Sequence, residues 1–254
     1  MKNADVFRKD PTTFSIPNDG VTTIQVPKEK QEWDVLEFEL RSFVCEGEYK
    51  DGLDRILSTF FRNLNRPRQP AVWISGFYGS GKSHLARVLE YLWKDIELPA
   101  GVLASSLVDL PIDIQEHFVE LKTHGKREGG LWSAAGTLSS AGSKSVRLAL
   151  LSIVFTAAGL PEDYRLAKFV IWLRENGYYQ KVKDIVESHG KEFESEIRSL
   201  YVSPILAEAL LTVFPGFAEN EADARMLLRD EFPKEDDISN DEFGNTLSKV
   251  LVLQ

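Results

Sequence analysis

The pattern of apolar and polar residues predicts a mostly helical chain. Leu53, Ile56, Leu57, Phe60, Phe61 and Leu64 recur at i, i+3, i+4, i+7, i+8 and i+11, one stripe along a helix. A shorter helix is expected before it, over 33–46. The stretch 65–70 is polar and carries Pro67 and Pro70, which ends the stripe. Leu85, Val88, Leu89, Leu92 and Trp93 form a second stripe. Another helix is predicted around 109–122. Residues 143–158 are apolar almost all round and predict a buried helix, closed by Gly159 with Pro161 beyond. Further helices follow. One opens at Ser203-Pro204, a serine cap with proline in the first turn. Another opens near Asn220 and stops at Pro233. The last opens at Ser239, with Phe243, Leu247, Val250 and Leu251 on one face.

Three runs depart from helical spacing. Val21–Val26 alternates weakly, as one strand would. Ala71–Ser75 is a short apolar run that suits a buried strand. Leu131–Leu138, between Gly129-Gly130 and Ser139-Ser140, suits a second core strand. These runs divide the chain into an N-terminal extension and helix (1–66), an α/β region (67–158) and a helical subdomain (159–254).

Between the first core strand and the next helix lies Gly76-Phe77-Tyr78-Gly79-Ser80-Gly81-Lys82-Ser83, a full match to G-x-x-x-x-G-K-[ST]. Strand, glycine-rich loop and helix in that order are what a phosphate-binding loop requires. Glycines let successive backbone N–H groups curl inward, and the helix N-terminus adds unpaired N–H groups and partial positive charge. Lys82 is placed to reach the β- and γ-phosphates, and the Ser83 hydroxyl to bind Mg2+ held by the nucleotide. The candidate nucleotide-binding residues are Gly76, Phe77, Tyr78, Gly79, Ser80, Gly81, Lys82, Ser83 and His84, with Mg2+ and ATP as cofactors. The fold class expected is α/β, a P-loop NTPase core followed by a largely helical second half.

Hydrolysis needs a second acid at the end of another core strand. Asp109 follows too short an apolar run, Asp113 follows a proline, and neither Leu131–Leu138 nor Leu148–Leu160 leads to an acid. With only two core strands to place, the P-loop core is incomplete in this chain. No catalytic residue is assigned.

Composition narrows the partners. The chain has 254 residues, 30 bases and 39 acids, for a net charge of −9, which disfavours a general nucleic-acid coat. Ten of the acids and three of the bases fall in 219–242, so the acidity is mostly local. A small basic cluster, Arg62, Arg66 and Arg68, precedes the loop and reads as a solvated face; DNA contact there stays open. One cysteine, Cys45, allows no internal disulfide and suits a reducing, cytoplasmic setting. No stretch is long and apolar enough to read as a membrane span. Ala141–Ser145 looks like half a phosphate loop but reads as a turn and helix cap. His84 reads as structural rather than catalytic. His117, His124 and His189 show no metal spacing. Trp33, Trp73, Trp93, Trp132 and Trp172 all read as core.

The segment Tyr49–Leu57, then Ala71–His84 with Gly-Phe-Tyr-Gly-Ser-Gly-Lys-Ser-His, resembles the start of the large P-loop ATPases of BREX phage-defence systems. So do Val6–Asp10 and Gly129–Gly136 with the helix after it. The resemblance implies an AAA+-like core and an ATP-binding N-terminal part of a longer ATPase, whose second Mg2+ acid lies further along, after a helical insertion. It also implies a role in blocking phage DNA replication beside a DNA methyltransferase and other defence components. Homo-oligomerisation stays open. Two alternatives stand beside it: a self-contained small P-loop kinase or NTPase, and a helical scaffold that nucleotide only stabilises.

Overall fold

The first four helices share one apolar core because each offers a single stripe to it. The computed structural model describes residues 17, 22, 24, 26–66, 70–138 and 145–253, and they fall into two compact units divided between Ala135 and Gly136. In the first unit, α1 (Lys30–Ser42), α2 (Glu48–Asn63), α3 (Lys82–Lys94) and α4 (Ile112–Arg127) pack together. Leu36, Leu40, Leu53, Leu57, Val88 and Ile114 are fully buried there. Glu32 starts α1 by accepting the backbone N–H groups of Lys28 and Glu29 at 2.6 and 3.0 Å. Two polar clips tie α2 to α4: Lys50 to Asp113 at 2.8 Å and His117 to Asp54 at 2.9 Å.

The second unit holds α5 (Val146–Ala157), α6 (Tyr164–Glu175), α7 (Tyr179–Ser188), α8 (Phe193–Glu196), α9 (Pro204–Val213), α10 (Glu221–Glu231) and α11 (Asn240–Val252). Its core centres on Phe155, Phe169 and Phe193, each at most 1% exposed. Burial of one such ring stabilises by about 1.5–3 kcal/mol. Here the local signals act as predicted. Ser203 caps α9 through the Leu206 N–H at 2.9 Å, with Pro204 in the first turn. Asn220 caps α10 through the N–H groups of Ala222 and Asp223, and Ser239 caps α11 through that of Glu242. Gly159 ends α5 at φ 65°, and the Leu160 N–H reaches back to the Phe155 carbonyl at 2.8 Å.

The expected α/β P-loop core is not what the chain forms. No β-sheet forms among the described residues; their one β-type pairing is an isolated antiparallel bridge between Glu97 and Leu103. Ala71–Ser75 is irregular and exposed, with Trp73 89% and Val72 53% accessible. Leu131–Leu138 forms no strand either. A strand needs a hydrogen-bonded neighbour, and apolar character cannot supply one. The core reading of Trp73 falls with it, whereas Trp33, Trp93 and Trp172 pack partly buried against the two cores. The helix at 143–158 begins at Val146 and is not buried all round, since Val146 and Leu150 face solvent. Val21, Thr23 and Gln25 of the expected Val21–Val26 strand, together with Val6–Asp10, Arg68 and Ala141–Lys144, lie outside the described residues. No helix among the described residues is long and apolar enough to cross a membrane.

Candidate functional site

The glycine-rich loop sits at the head of α3, where the sequence placed it. Gly79 and Gly81 adopt φ 80° and 79°, the left-handed region that side chains resist. The first bond of the helix runs from the Leu85 N–H to the Gly81 carbonyl at 2.9 Å. The N–H groups of Lys82, Ser83 and His84 therefore precede the helical ladder, which leaves them to a ligand or solvent. The Ser80 N–H turns back to the Phe77 carbonyl at 3.2 Å and closes the curl. Lys82 folds over the loop, its Nζ 2.8 Å from the Phe77 carbonyl and 3.5 Å from Ser80 Oγ.

Tyr78, Gly79, Gly81, Lys82, Ser83 and His84 line one cavity of about 350 Å3, with Phe38, Glu39 and Ser42 of α1 and Thr22 opposite. Gly76, Phe77 and Ser80 do not line it. Phe77 and Tyr78 project into solvent, 91% and 94% exposed. These positions are the free ones of the motif, and nothing in its chemistry fixes their side chains.

The loop rests on α1 and α2. His84 Nε2 lies 2.7 Å from the Glu39 carbonyl; a carbonyl only accepts, so this nitrogen carries the proton. The Tyr49 hydroxyl donates to the Ser80 carbonyl. Phe43 joins the two, meeting Tyr49 edge-on at 5.8 Å and His84 edge-on at 5.4 Å. One turn further along α3, Arg87 Nε lies 2.9 Å from Glu39 Oε2, with both side chains at most 5% exposed. The Arg87 guanidinium also lies over the Tyr91 ring at 5.7 Å. Burial pushes the Tyr91 hydroxyl up to about 12, and burial raises Glu90 as well. Motif spacing carries no trace of Tyr49, Phe43 or Glu39. Only the polar Arg87 within an otherwise apolar helix face hints at a buried acid elsewhere.

The residues fit a polyphosphate. A curled backbone with two left-handed glycines, a helix N-terminus and the Lys82 ammonium lying across the loop together make an anion cradle. Ser83 is the group in this cradle that would hold Mg2+ through the nucleotide. No group of three or more metal-ligating side chains occurs among the described residues. The other candidates have structural partners. Asp113 pairs with Lys50, His117 with Asp54, and His189 Nδ1 lies 2.9 Å from the Ile185 carbonyl. His124 leans on the Phe61 ring at 6.0 Å. Cys45 is buried, and burial raises its thiol. No family model matches the chain, and neither a curated protein nor a solved structure matches it.

Proposed function

We propose that this chain binds a nucleoside triphosphate with Mg2+ through Gly76–His84. The observation that supports this most is the curled loop at the head of α3, with Gly79 and Gly81 left-handed and Lys82 lying across it. The backbone N–H groups of the loop and first helical turn take the phosphate oxygens. Lys82 swings from the Phe77 carbonyl to neutralise the terminal phosphates. Ser83 completes the Mg2+ shell, and the ion neutralises phosphate charge. The resemblance to the BREX ATPases favours ATP among the nucleotides. It also favours work beside a DNA methyltransferase in blocking phage DNA replication.

Thermal unfolding tests the binding step. With Mg-ATP at 100 times its Kd, the unit that carries the loop gains about 2.7 kcal/mol of stability. Mg2+ alone, or ATP with chelator, gives much less. Identical melting under all three conditions overturns the proposal.

A further inference from the structure

We propose that Tyr49 is a positioning residue for the phosphate loop, acting at the head of a ladder of rings that runs through Phe43 to His84. The inference rests on the nucleotide-binding reading of that loop.

The loop carries no side chain that could brace it from within at Gly79 or Gly81. Bracing comes from α1 and α2 instead. Tyr49 stands in the first turn of α2 and donates its hydroxyl to the Ser80 carbonyl. That hydroxyl fills the space a Cβ on residue 81 would need. Gly81 is therefore required twice over, for its φ of 79° and for the close approach of Tyr49.

The hydrogen bond has a directional consequence. In a planar trans peptide the carbonyl and the following N–H point in opposite directions. Holding the Ser80 carbonyl toward Tyr49 turns the Gly81 N–H away from α2. Phe43, 4% exposed, carries the brace across to His84, whose ring is fixed by the Glu39 carbonyl at 2.7 Å. Lys82 and Ser83 lie between these two anchored points. The ligand then meets N–H groups already aimed, and little ordering is left to do on binding.

Tyr49→Phe tests this, because it removes the hydroxyl and keeps the ring ladder. Mg-ATP affinity is measured for wild type, Tyr49→Phe and Lys82→Ala, with apo melting and amide hydrogen exchange at Ser80 and Gly81 alongside. The expected result is binding about five- to tenfold weaker in Tyr49→Phe, with apo melting unchanged and faster exchange at Ser80, whose N–H closes the curl on the Phe77 carbonyl. Loss of melting temperature in parallel with affinity overturns the positioning role in favour of a merely structural one. If Lys82→Ala abolishes binding while Tyr49→Phe binds like wild type, the positioning role falls and the binding reading stands. If wild type itself binds no Mg-ATP, the binding reading falls. Exchange then decides the brace: unchanged protection at Ser80 in Tyr49→Phe overturns it, and faster exchange upholds it as a loop anchor.

Discussion

Arg87→Met should be among the most damaging single changes in the first unit. Arg87 and Glu39 are 5% and 3% exposed and lie 2.9 Å apart, linking α3 to α1. At an effective dielectric of about 20, two unit charges at that separation attract with about 6 kcal/mol. Most of that attraction offsets the desolvation of the two groups, so the intact pair adds little net stability. Breaking it is different, because the carboxylate of Glu39 is then buried without its countercharge. The expected loss is about 3–5 kcal/mol. Replacing both residues, as Glu39→Leu with Arg87→Met, should restore stability to within about 1 kcal/mol of wild type, since no charge is then buried. Urea unfolding followed by tryptophan fluorescence is the assay. It weights this unit, because Trp33, Trp73, Trp93 and Trp132 belong to it and only Trp172 to the other. An Arg87→Met midpoint that matches wild type, or a double variant as unstable as the single one, refutes the reasoning.

Trp73→Ser should change stability by less than about 0.5 kcal/mol, because the ring is 89% exposed; a tryptophan in a core strand would cost about 3–5 kcal/mol, so a large loss on thermal melting would revive the strand reading. Asp237 should make the second unit acid-sensitive. The Arg147 guanidinium, then the Ser145 hydroxyl and the Ile238 N–H, hold its carboxyl down at about 2 against an ordinary 3.8. Its contribution is full above the ordinary value and fades as pH falls through about 2. Asp237→Asn should flatten the melting profile in that window, and an unchanged profile would count against the cluster. Tyr49→Phe, as set out above, should weaken nucleotide binding without lowering apo stability.

What the sequence reveals about this fold is local. The stripe from Leu53 to Leu64, the caps at Ser203, Asn220 and Ser239, and the Gly159 stop each depend on residues within a turn or two, and each forms as read. Strand formation is not local. Ala71–Ser75 has the composition of a strand but no ladder partner among the described residues, and so it lies exposed. The helix over 143–158 shows the same limit from the other side, since apolar letters all round do not guarantee neighbours all round for Val146 and Leu150. The site divides likewise. Its loop is a contiguous motif, and the helix expected after it forms from Lys82, whereas the strand expected before it does not. Its supports arrive from Tyr49, 31 residues before Ser80, and Glu39, 45 before His84, distances over which spacing carries no signal.

Calorimetric titration of Mg-ATP into wild type and Lys82→Ala is the most direct test of nucleotide binding at this loop. Lys82 is half-exposed and, among the described residues, its ammonium bonds to Phe77 and Ser80 of its own loop, so its removal should leave the helices intact by circular dichroism. Wild type should bind one Mg-ATP per chain, and Lys82→Ala should bind at least tenfold more weakly, since a charge-assisted phosphate contact supplies about 1.5–3 kcal/mol. Equal binding by the two proteins, or none by wild type, would contradict the assignment of the site.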